Sequence, residues 1–205
     1  MKFHMTPGSC STGIHILLEE LELPFEVYLV NLMAGDQFKP EYLALNPKAT
    51  IPTLVRDNGS SITEFQAIAW WLARRYPKAR LLPDDIDGEI RVMETLDYVV
   101  GTIHGQGYTR IFTTSNYTTN EAEHEAIKAR GREIVEKGFA VMNEVLAGRE
   151  YVVGNFSIAD AALFYVEFWA DKIKLDLPQN CLAHYQRMLQ RPVVRRVLME
   201  EGYRL

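Results

Sequence analysis

One cysteine near the N-terminus stands where reactive thiols are often found. Cys10 lies in segment 6–13, between a short apolar strand pattern and an apolar helix pattern. Pro7 and Gly8 interrupt the chain, and the hydroxyl residues around Cys10 can accept hydrogen bonds from the helix's first amides, as N-cap residues do. Because those amides and the helix dipole favour negative charge, this position predicts a stabilised, nucleophilic thiolate. The alternative is a small apolar side chain packed under the helix start, since unpaired cysteines are commonly buried.

The spacing around Cys10 limits its chemistry. In a dithiol redox motif a second cysteine follows three residues later, but this chain has Gly13 at that position. Any redox or transfer reaction at Cys10 would therefore need an external thiol.

Composition narrows the functional class. The 205 residues are 47% hydrophobic and 24% charged, which is ordinary for a globular protein of one large or two small domains. A net charge of −5 offers no basic field for nucleic acid or an anionic membrane, and no apolar run has membrane-spanning length. Two cysteines make no disulfide framework, and the five histidines show no metal-ligand spacing. We expect a cytoplasmic, metal-free protein.

The N-terminal third predicts an α/β unit. A strand over 2–5, a helix from about Ser11 to near Leu23 and a strand over 25–30 form a right-handed βαβ unit with a parallel strand pair.

The chain then predicts an antiparallel hairpin and a helix. A strand over 50–56 has Pro52 near its start, a hairpin turn at 57–59 leads to a strand at 61–63, and the next helix ends before Pro77. Ile68, Trp71, Leu72 and Arg75 are predicted to share one face of that helix.

The rest of the chain predicts helices. Segment 78–87 is the best linker candidate, which gives domains at 1–77 and 88–205. Two long helices are predicted, one through 90–100 that is loosened by glycines and one over 121–146. The stretch 157–160 is a variant of the capping box.

Four short motifs in this order resemble the glutathione transferase superfamily over nearly the whole chain, and its bacterial, cysteine-containing beta-like branch most of all. The motifs are Thr6-Pro7-Gly8-Ser9-Cys10, Asn46-Pro47-Lys48 with Ile51-Pro52-Thr53-Leu54, Thr63-Glu64, and Ser157-Ile158-Ala159-Asp160. The resemblance implies a thioredoxin-like N-terminal domain (βαβ–ββα) and a helical-bundle C-terminal domain. It also implies glutathione as co-substrate, a small electrophilic substrate and a homodimer.

The resemblance assigns roles to individual residues. Cys10 would lie close to the glutathione sulfur, and His104 would reach the site from the helical domain. Ile51 precedes a proline that is cis in this family, and its backbone would pair with the cysteinyl part of glutathione, as a strand edge pairs with an extended peptide. Glu64 and the amide of residue 65 would hold the γ-glutamyl end.

The chain also departs from the family pattern. Phe65 stands where a serine or another small residue is usual, so a hydroxyl for the γ-glutamyl carboxylate is missing, a loss of ~1.5–3 kcal/mol of affinity. Thr50 stands where this branch often has glutamine, and Gly105 where a lysine can follow the histidine.

Structural alternatives exist for several of these residues. Glu64 can be an acidic residue in a helix's first turn, and His104 a packed or surface histidine. Segments around 33–38 and 108–117 are candidates for an apolar substrate pocket. The aromatic residues of the second segment also fit helix packing.

Three functional hypotheses follow. The first is a glutathione transferase that conjugates the glutathione thiolate to small apolar electrophiles, with Ser9, Cys10 or local backbone amides stabilising the thiolate. The second is a glutathione-dependent thiol–disulfide reductase or peroxidase in which Cys10 is the nucleophile. The third is a non-catalytic dimeric scaffold with the same fold, suggested by Phe65.

Overall fold

The chain divides into two units, one of which is discontinuous in sequence. The computed structural model describes residues 1–204, and unit 1 combines Met1–Leu82 with the chain from Arg187 onward. Unit 2 is Pro83–Gln186. The C-terminal segment thus packs with the N-terminal part of the chain, an association that the sequence did not indicate. The predicted domains 1–77 and 88–205, with a linker at 78–87, stay a prediction.

The strands and helices follow the expected order. The strands are β1 (Lys2–Met5), β2 (Glu26–Leu29), β3 (Thr53–Val55) and β4 (Ser61–Thr63). The α-helices are α1 (Ser11–Glu20), α2 (Pro40–Leu43), α3 (Phe65–Arg75), α4 (Ile86–Asp97), α5 (Thr109–Phe112), α6 (His124–Val145), α7 (Ile158–Lys172), α8 (Gln179–Gln190) and α9 (Pro192–Glu200).

The sheet of unit 1 has the strand order β2-β1-β3-β4. Strand β1 runs parallel to β2, with Phe3 opposite Val27, and antiparallel to β3, with Phe3 opposite Leu54. Strands β3 and β4 form the predicted antiparallel hairpin. The predicted βαβ–ββα arrangement is therefore confirmed.

Helix α1 ends three residues before the predicted end at Leu23. Glu22 adopts a left-handed conformation with φ 51°, and the Leu23 N–H donates to the Leu18 carbonyl at 3.3 Å. This hydrogen bond satisfies a carbonyl group at the helix end, as in a Schellman motif. The helix therefore ends at this motif and not at Pro24.

Helix α3 buries one side against the core of unit 1. Phe65, Ile68 and Leu72 are buried, but Trp71 is only partly buried and Arg75 is exposed. Residues three and four apart share a helix face, and Phe65 and Ile68 set the direction of that face toward the core. By their spacing Ile68, Trp71, Leu72 and Arg75 lie on one side of this helix, as predicted, and the buried part of that side is at Ile68 and Leu72.

Unit 2 is built around helix α7. Its residues 158–170 are buried on every side, which is typical of a central core helix. The predicted capping box is present, because Asp160 Oδ2 accepts hydrogen bonds from the Ser157 N–H (2.8 Å) and Oγ–H (2.7 Å). The other oxygen, Oδ1, accepts from the Val152 N–H at 2.9 Å.

The helix that begins with α4 changes its winding where glycines were expected to loosen it. Residues Tyr98–Tyr108 form a π-helical segment that leads into α5. This segment packs closely on α6, since a Cβ at Gly138 would lie 2.5 Å from Ile103 Cγ1 and one at Gly107 2.6 Å from Val135 Cγ2. π-Helical turns are rare and often occur near functional sites. Within residues 1–204, no helix is long and apolar enough to cross a membrane.

A buried ion pair ties α7 to α8. His184 Nδ1 lies 2.8 Å from Glu167 Oε2, and His184 Nε2 lies 3.3 Å from Asp160 Oδ1. Burial raises the pKa of Glu167 to about 7. Burial alone would lower the pKa of His184, but the Glu167 and Asp160 carboxylates raise it to about 10. The histidine therefore depends on Glu167 for its buried charge.

We expect Glu167→Ala to lower the free energy of unfolding by about 3 kcal/mol, because it leaves His184 with one fewer buried partner. Denaturant unfolding at pH 7 measures this change. The control is Glu136→Ala, an exposed glutamate on α6, for which we expect a change of at most ~0.5 kcal/mol. Equal effects of the two substitutions would contradict this account of the ion pair.

Candidate active site

The thiol loop, which we define as residues 6–12, is held by its own hydroxyl groups. The Thr6 carbonyl accepts hydrogen bonds from Ser9 Oγ (2.6 Å) and Ser11 Oγ (3.0 Å), and the Ser11 N–H donates to Ser9 Oγ (3.1 Å). Cys10 itself is the N-cap of α1, with no side-chain cap bond. Ser9, predicted as a partner of the reacting sulfur, thus has its hydroxyl engaged in the turn.

A second loop, residues 46–52, is shaped by two polar side chains. Asn46 Nδ2 donates to the Thr50 carbonyl (2.8 Å) and to Thr53 Oγ1 (3.2 Å), while Asn46 Oδ1 accepts from the Lys48 N–H (3.1 Å). The Tyr42 hydroxyl donates to the same Thr50 carbonyl. Tyr42 and Asn46 were not among the predicted site residues, although asparagine before proline is a common turn signal.

This second loop brings Ile51 to the thiol. The Ile51–Pro52 peptide is cis, as the family resemblance predicted. The Ile51 carbonyl lies 3.7 Å from Cys10 Sγ. The paired part of β3 begins only at Thr53, so the Ile51 backbone lies outside the strand ladder. A short stretch of backbone that no strand pairs with therefore lies beside the thiol.

The electrostatics of Cys10 differ from the prediction. Its side chain is 8% exposed, and burial raises the pKa of the thiol to about 12, with a smaller contribution from Glu64. Hydrogen bonds from the backbone amides of Cys10 and Ser11 lower the pKa, but by less than burial raises it. The expectation of a stabilised Cys10 thiolate is not met, because loss of solvation outweighs the helix N-terminus. At neutral pH this thiol is protonated and is a hydrogen-bond donor.

Opposite charges lie next to this edge. Glu64 is the residue before α3, with φ 75°, and its carboxylate pairs with Lys48 Nζ. Both side chains are about half exposed. A neighbouring carboxylate and ammonium group suit a zwitterionic amino-acid end. Lys48 belongs to the Asn46-Pro47-Lys48 motif, but the motif did not predict that its charge would lie beside Glu64.

Phe65 belongs to the core of unit 1. It is the first residue of α3, and its side chain is 3% exposed. Packing in the core therefore explains why a phenylalanine occupies this position, where the family usually has a small residue.

His104 lies in unit 2, within the π-helical segment. Its Nδ1 atom lies 3.1 Å from the Tyr165 hydroxyl, and its ring packs edge-on against Trp169. Burial lowers the pKa of His104 to about 4, so the imidazole is neutral at pH 7. A role in the reaction stays a prediction for this residue.

The pocket candidates have different environments. Tyr108 is fully buried and its hydroxyl donates to the Val166 carbonyl at 2.8 Å, so it packs helices together. Phe112 and Tyr117 of unit 2, and Met33 and Phe38 of unit 1, expose much of their side chains.

One group of possible metal ligands was not anticipated. His15, Glu19 and Glu200 place ligand atoms within 4.8 Å of one another. However, Glu19 pairs with Arg196, whose positive charge opposes a cation, and His15 Nδ1 pairs with Glu201 at 2.9 Å. We assign these side chains to the contact between α1 and α9. The sequence did not reveal them because α9 lies so far along the chain from α1.

Comparisons with known proteins identify the family. A family described as "Glutathione S-transferase, N-terminal domain" matches residues 8–75, and "Glutathione S-transferase, C-terminal domain" matches residues 125–196. The chain belongs to the glutathione S-transferase family. It is 35% identical over 211 residues to Glutathione S-transferase GstA of Escherichia coli O157:H7, covering 98% of this chain and 99% of that protein.

Solved structures of this glutathione S-transferase's relatives agree with the fold. A glutathione transferase homologue from Sulfitobacter with bound glutathione has a TM-score of 0.91 at 28% identity, covering 98% of both chains. A bacterial beta-class glutathione S-transferase from Sphingomonas chungbukensis has a TM-score of 0.85 at 28% identity, covering 98% of this chain and 99% of the other. The predicted family, two-part fold and glutathione-dependent transferase class are confirmed.

The pKa of Cys10 has a measurable consequence. We expect its alkylation by iodoacetamide to accelerate about tenfold per pH unit between pH 7 and 9, since the thiolate fraction keeps rising toward a pKa of about 12. Peptide mapping by mass spectrometry follows Cys10 separately from Cys181. Free glutathione in the same tube is the control, and its rate should begin to level off near its ordinary thiol pKa. A Cys10 rate that levels off with it would contradict the buried, protonated thiol.

Proposed function

We propose that this glutathione S-transferase conjugates the thiolate of glutathione to small apolar electrophiles. The glutathione thiol loses its proton to solvent, and the thiolate attacks an electrophilic carbon. A carbon–sulfur bond forms while a leaving group such as chloride departs with the bonding electrons. The single observation that carries the proposal is the position of the Cys10 thiol, whose sulfur lies 3.7 Å from the Ile51 carbonyl on backbone that no strand pairs with.

The two loops supply a place for glutathione. The Ile51 backbone pairs with the cysteinyl residue, in the manner of a peptide that extends a strand edge. The Glu64 carboxylate binds the γ-glutamyl ammonium group and Lys48 attracts its carboxylate, so the ligand replaces an exposed ion pair that is worth little by itself. The bound glutathione of the Sulfitobacter homologue supports this proposal.

In the proposed mechanism Cys10 donates a hydrogen bond and does not attack. In the structure its S–H donates to the Ile51 carbonyl. When glutathione is bound, the S–H turns to the glutathione sulfur and stabilises the thiolate there. A hydrogen bond to the charged form lowers a pKa, so the bound glutathione is the group that ionises. Ser9 helps by holding the turn through its hydroxyl.

The two other hypotheses have less support. Attack of Cys10 on a disulfide needs its thiolate, which is about one molecule in 10⁵ at pH 7 for a pKa of about 12. The scaffold hypothesis rested on Phe65, whose bulk is explained by the core. We therefore favour the transferase hypothesis over the reductase and scaffold hypotheses.

The assembly and location are also proposals. We propose a homodimer, as the family resemblance implies, and the exposed apolar side chains of Ile86 and Ile90 on α4 support a contact surface on unit 2. The proposed location is the cytoplasm, on the basis of composition and unpaired cysteines.

Glutathione titration tests the binding site. We expect the wild type to bind glutathione by calorimetry, and Glu64→Ala to weaken binding by about 10-fold or more, because a charge-assisted bond of ~1.5–3 kcal/mol is lost. The matched control is Glu41→Ala, an exposed glutamate in the first turn of α2. Absence of binding by the wild type would favour the scaffold, and equal effects of both substitutions would remove Glu64 from the site.

Substitution of Cys10 tests the proposed donor. With a chloronitrobenzene as electrophile, we expect Cys10→Ala to slow conjugation about tenfold and to raise the pKa read from the pH–rate profile, because a donor to the thiolate is lost. Cys10→Ser keeps a donor and should retain most of the rate. Reduction of hydroxyethyl disulfide should be the same in Cys10→Ser as in the wild type; a loss of that reduction would favour the reductase.

A further inference from the structure

A carboxylate from the C-terminal segment is buried against the thiol loop. Glu201 directly follows α9, and its side chain is 1% exposed. Its Oε2 atom accepts hydrogen bonds from the Gly8 N–H and from Thr12 Oγ1–H, both at 2.7 Å. Its Oε1 atom lies 2.9 Å from His15 Nδ1. All of these residues belong to unit 1.

These contacts bracket Cys10. Gly8 is two residues before the cysteine and Thr12 is two residues after it, so a single carboxylate connects both sides of the thiol loop. A carboxylate at such depth is stable only when donors surround it, and hydrogen bonds to charged groups are shorter and stronger than neutral ones. Glu201 therefore constrains the path of the loop more firmly than the neutral serine bonds within it.

The segment that carries Glu201 is itself well anchored on α1. Arg191 Nη2 lies 2.6 Å from Glu20 Oε1, and Val194, Val197 and Leu198 of α9 are buried. Further along, Tyr203 lies so close to Gly8 that a Cβ there would be 1.9 Å from the tyrosine hydroxyl oxygen. Gly8 also has φ +70°, which favours glycine. The carboxylate thus has a fixed place from which to hold the loop.

We propose that Glu201 is a positioning residue for the reaction: through Gly8 and Thr12 it holds the Cys10 S–H where it meets the glutathione sulfur. This inference rests on the proposed function. Glu201 touches the loop and not the ligand, whose affinity comes from Ile51 and Glu64. Loss of Glu201 should therefore change the rate of the sulfur chemistry and leave glutathione affinity nearly unchanged.

The first test compares two neighbouring glutamates. We expect Glu201→Ala to lower kcat about tenfold, with the Kd for glutathione within about threefold of wild type. Glu200→Ala is the matched control, because Glu200 is half-exposed and faces His15 Nε2 at 3.4 Å without a contact to Gly8 or Thr12. Equal kcat values for the two variants, or an equal loss in kcat and affinity for Glu201→Ala, would overturn the proposal.

A conservative variant separates positioning from general stability. In Glu201→Gln the amide oxygen can still accept from Gly8 and Thr12, and the NH₂ group can donate to His15 Nδ1 in its other tautomer. We expect kcat within about threefold of wild type; a loss as large as that of Glu201→Ala would contradict the proposal. If Glu201→Ala does not fold, Thr12→Val, which removes one donor, should lower kcat in the same direction, and an unchanged kcat would contradict it.

A measurement without glutathione keeps this inference separate from the proposed function. We expect amide hydrogen exchange over residues 8–13 to be about tenfold faster in Glu201→Ala than in wild type, and unchanged in Glu200→Ala. Unchanged exchange in Glu201→Ala overturns the inference. Failure of the wild type to bind glutathione overturns the proposed function instead, while faster exchange would still support Glu201 as the residue that holds the thiol loop.

Discussion

Exclusion of water from one sulfur atom, that of Cys10, sets the protonation state of this thiol. A helix N-terminus stabilises a nearby negative charge by at most ~2 kcal/mol. Burial can shift a pKa by ~3–5 units, at ~1.4 kcal/mol per unit. Cys10 has both influences, and burial prevails, so its pKa rises to about 12. A thiol that keeps its proton is a poor nucleophile and a constant donor, which suits it to assist another sulfur.

The position of that sulfur depends on buried polar side chains that hold the two loops. Asn46 and Tyr42 fix the Thr50 carbonyl, and so place Ile51 beside Cys10. On the other side, Glu201 joins Gly8 to Thr12. The two loops thus owe their geometry to buried polar side chains with satisfied partners, which is the condition under which such groups stabilise a single conformation.

Phe65, the first residue of α3, contributes its side chain to the core while its backbone lies next to the candidate site. Its backbone begins α3 next to the charged pair of Glu64 and Lys48, while its ring is buried in the core. A site built on backbone atoms and neighbouring charges tolerates a large side chain there. In the proposed function the γ-glutamyl end pairs with Glu64 and Lys48 in place of a hydroxyl.

The sequence alone determined the order of elements, the hairpin turn at 57–59, the capping box at Ser157 and the family, because each depends on local chain chemistry and short motifs. It also placed Cys10, Ile51, Pro52 and Glu64 in one candidate site through the resemblance. Only the tertiary structure decided the protonation of Cys10, the buried face of α3 and the contact of Glu201 with the thiol loop. Solvent exclusion and contacts between residues nearly two hundred positions apart arise when the chain packs, and no local pattern encodes them.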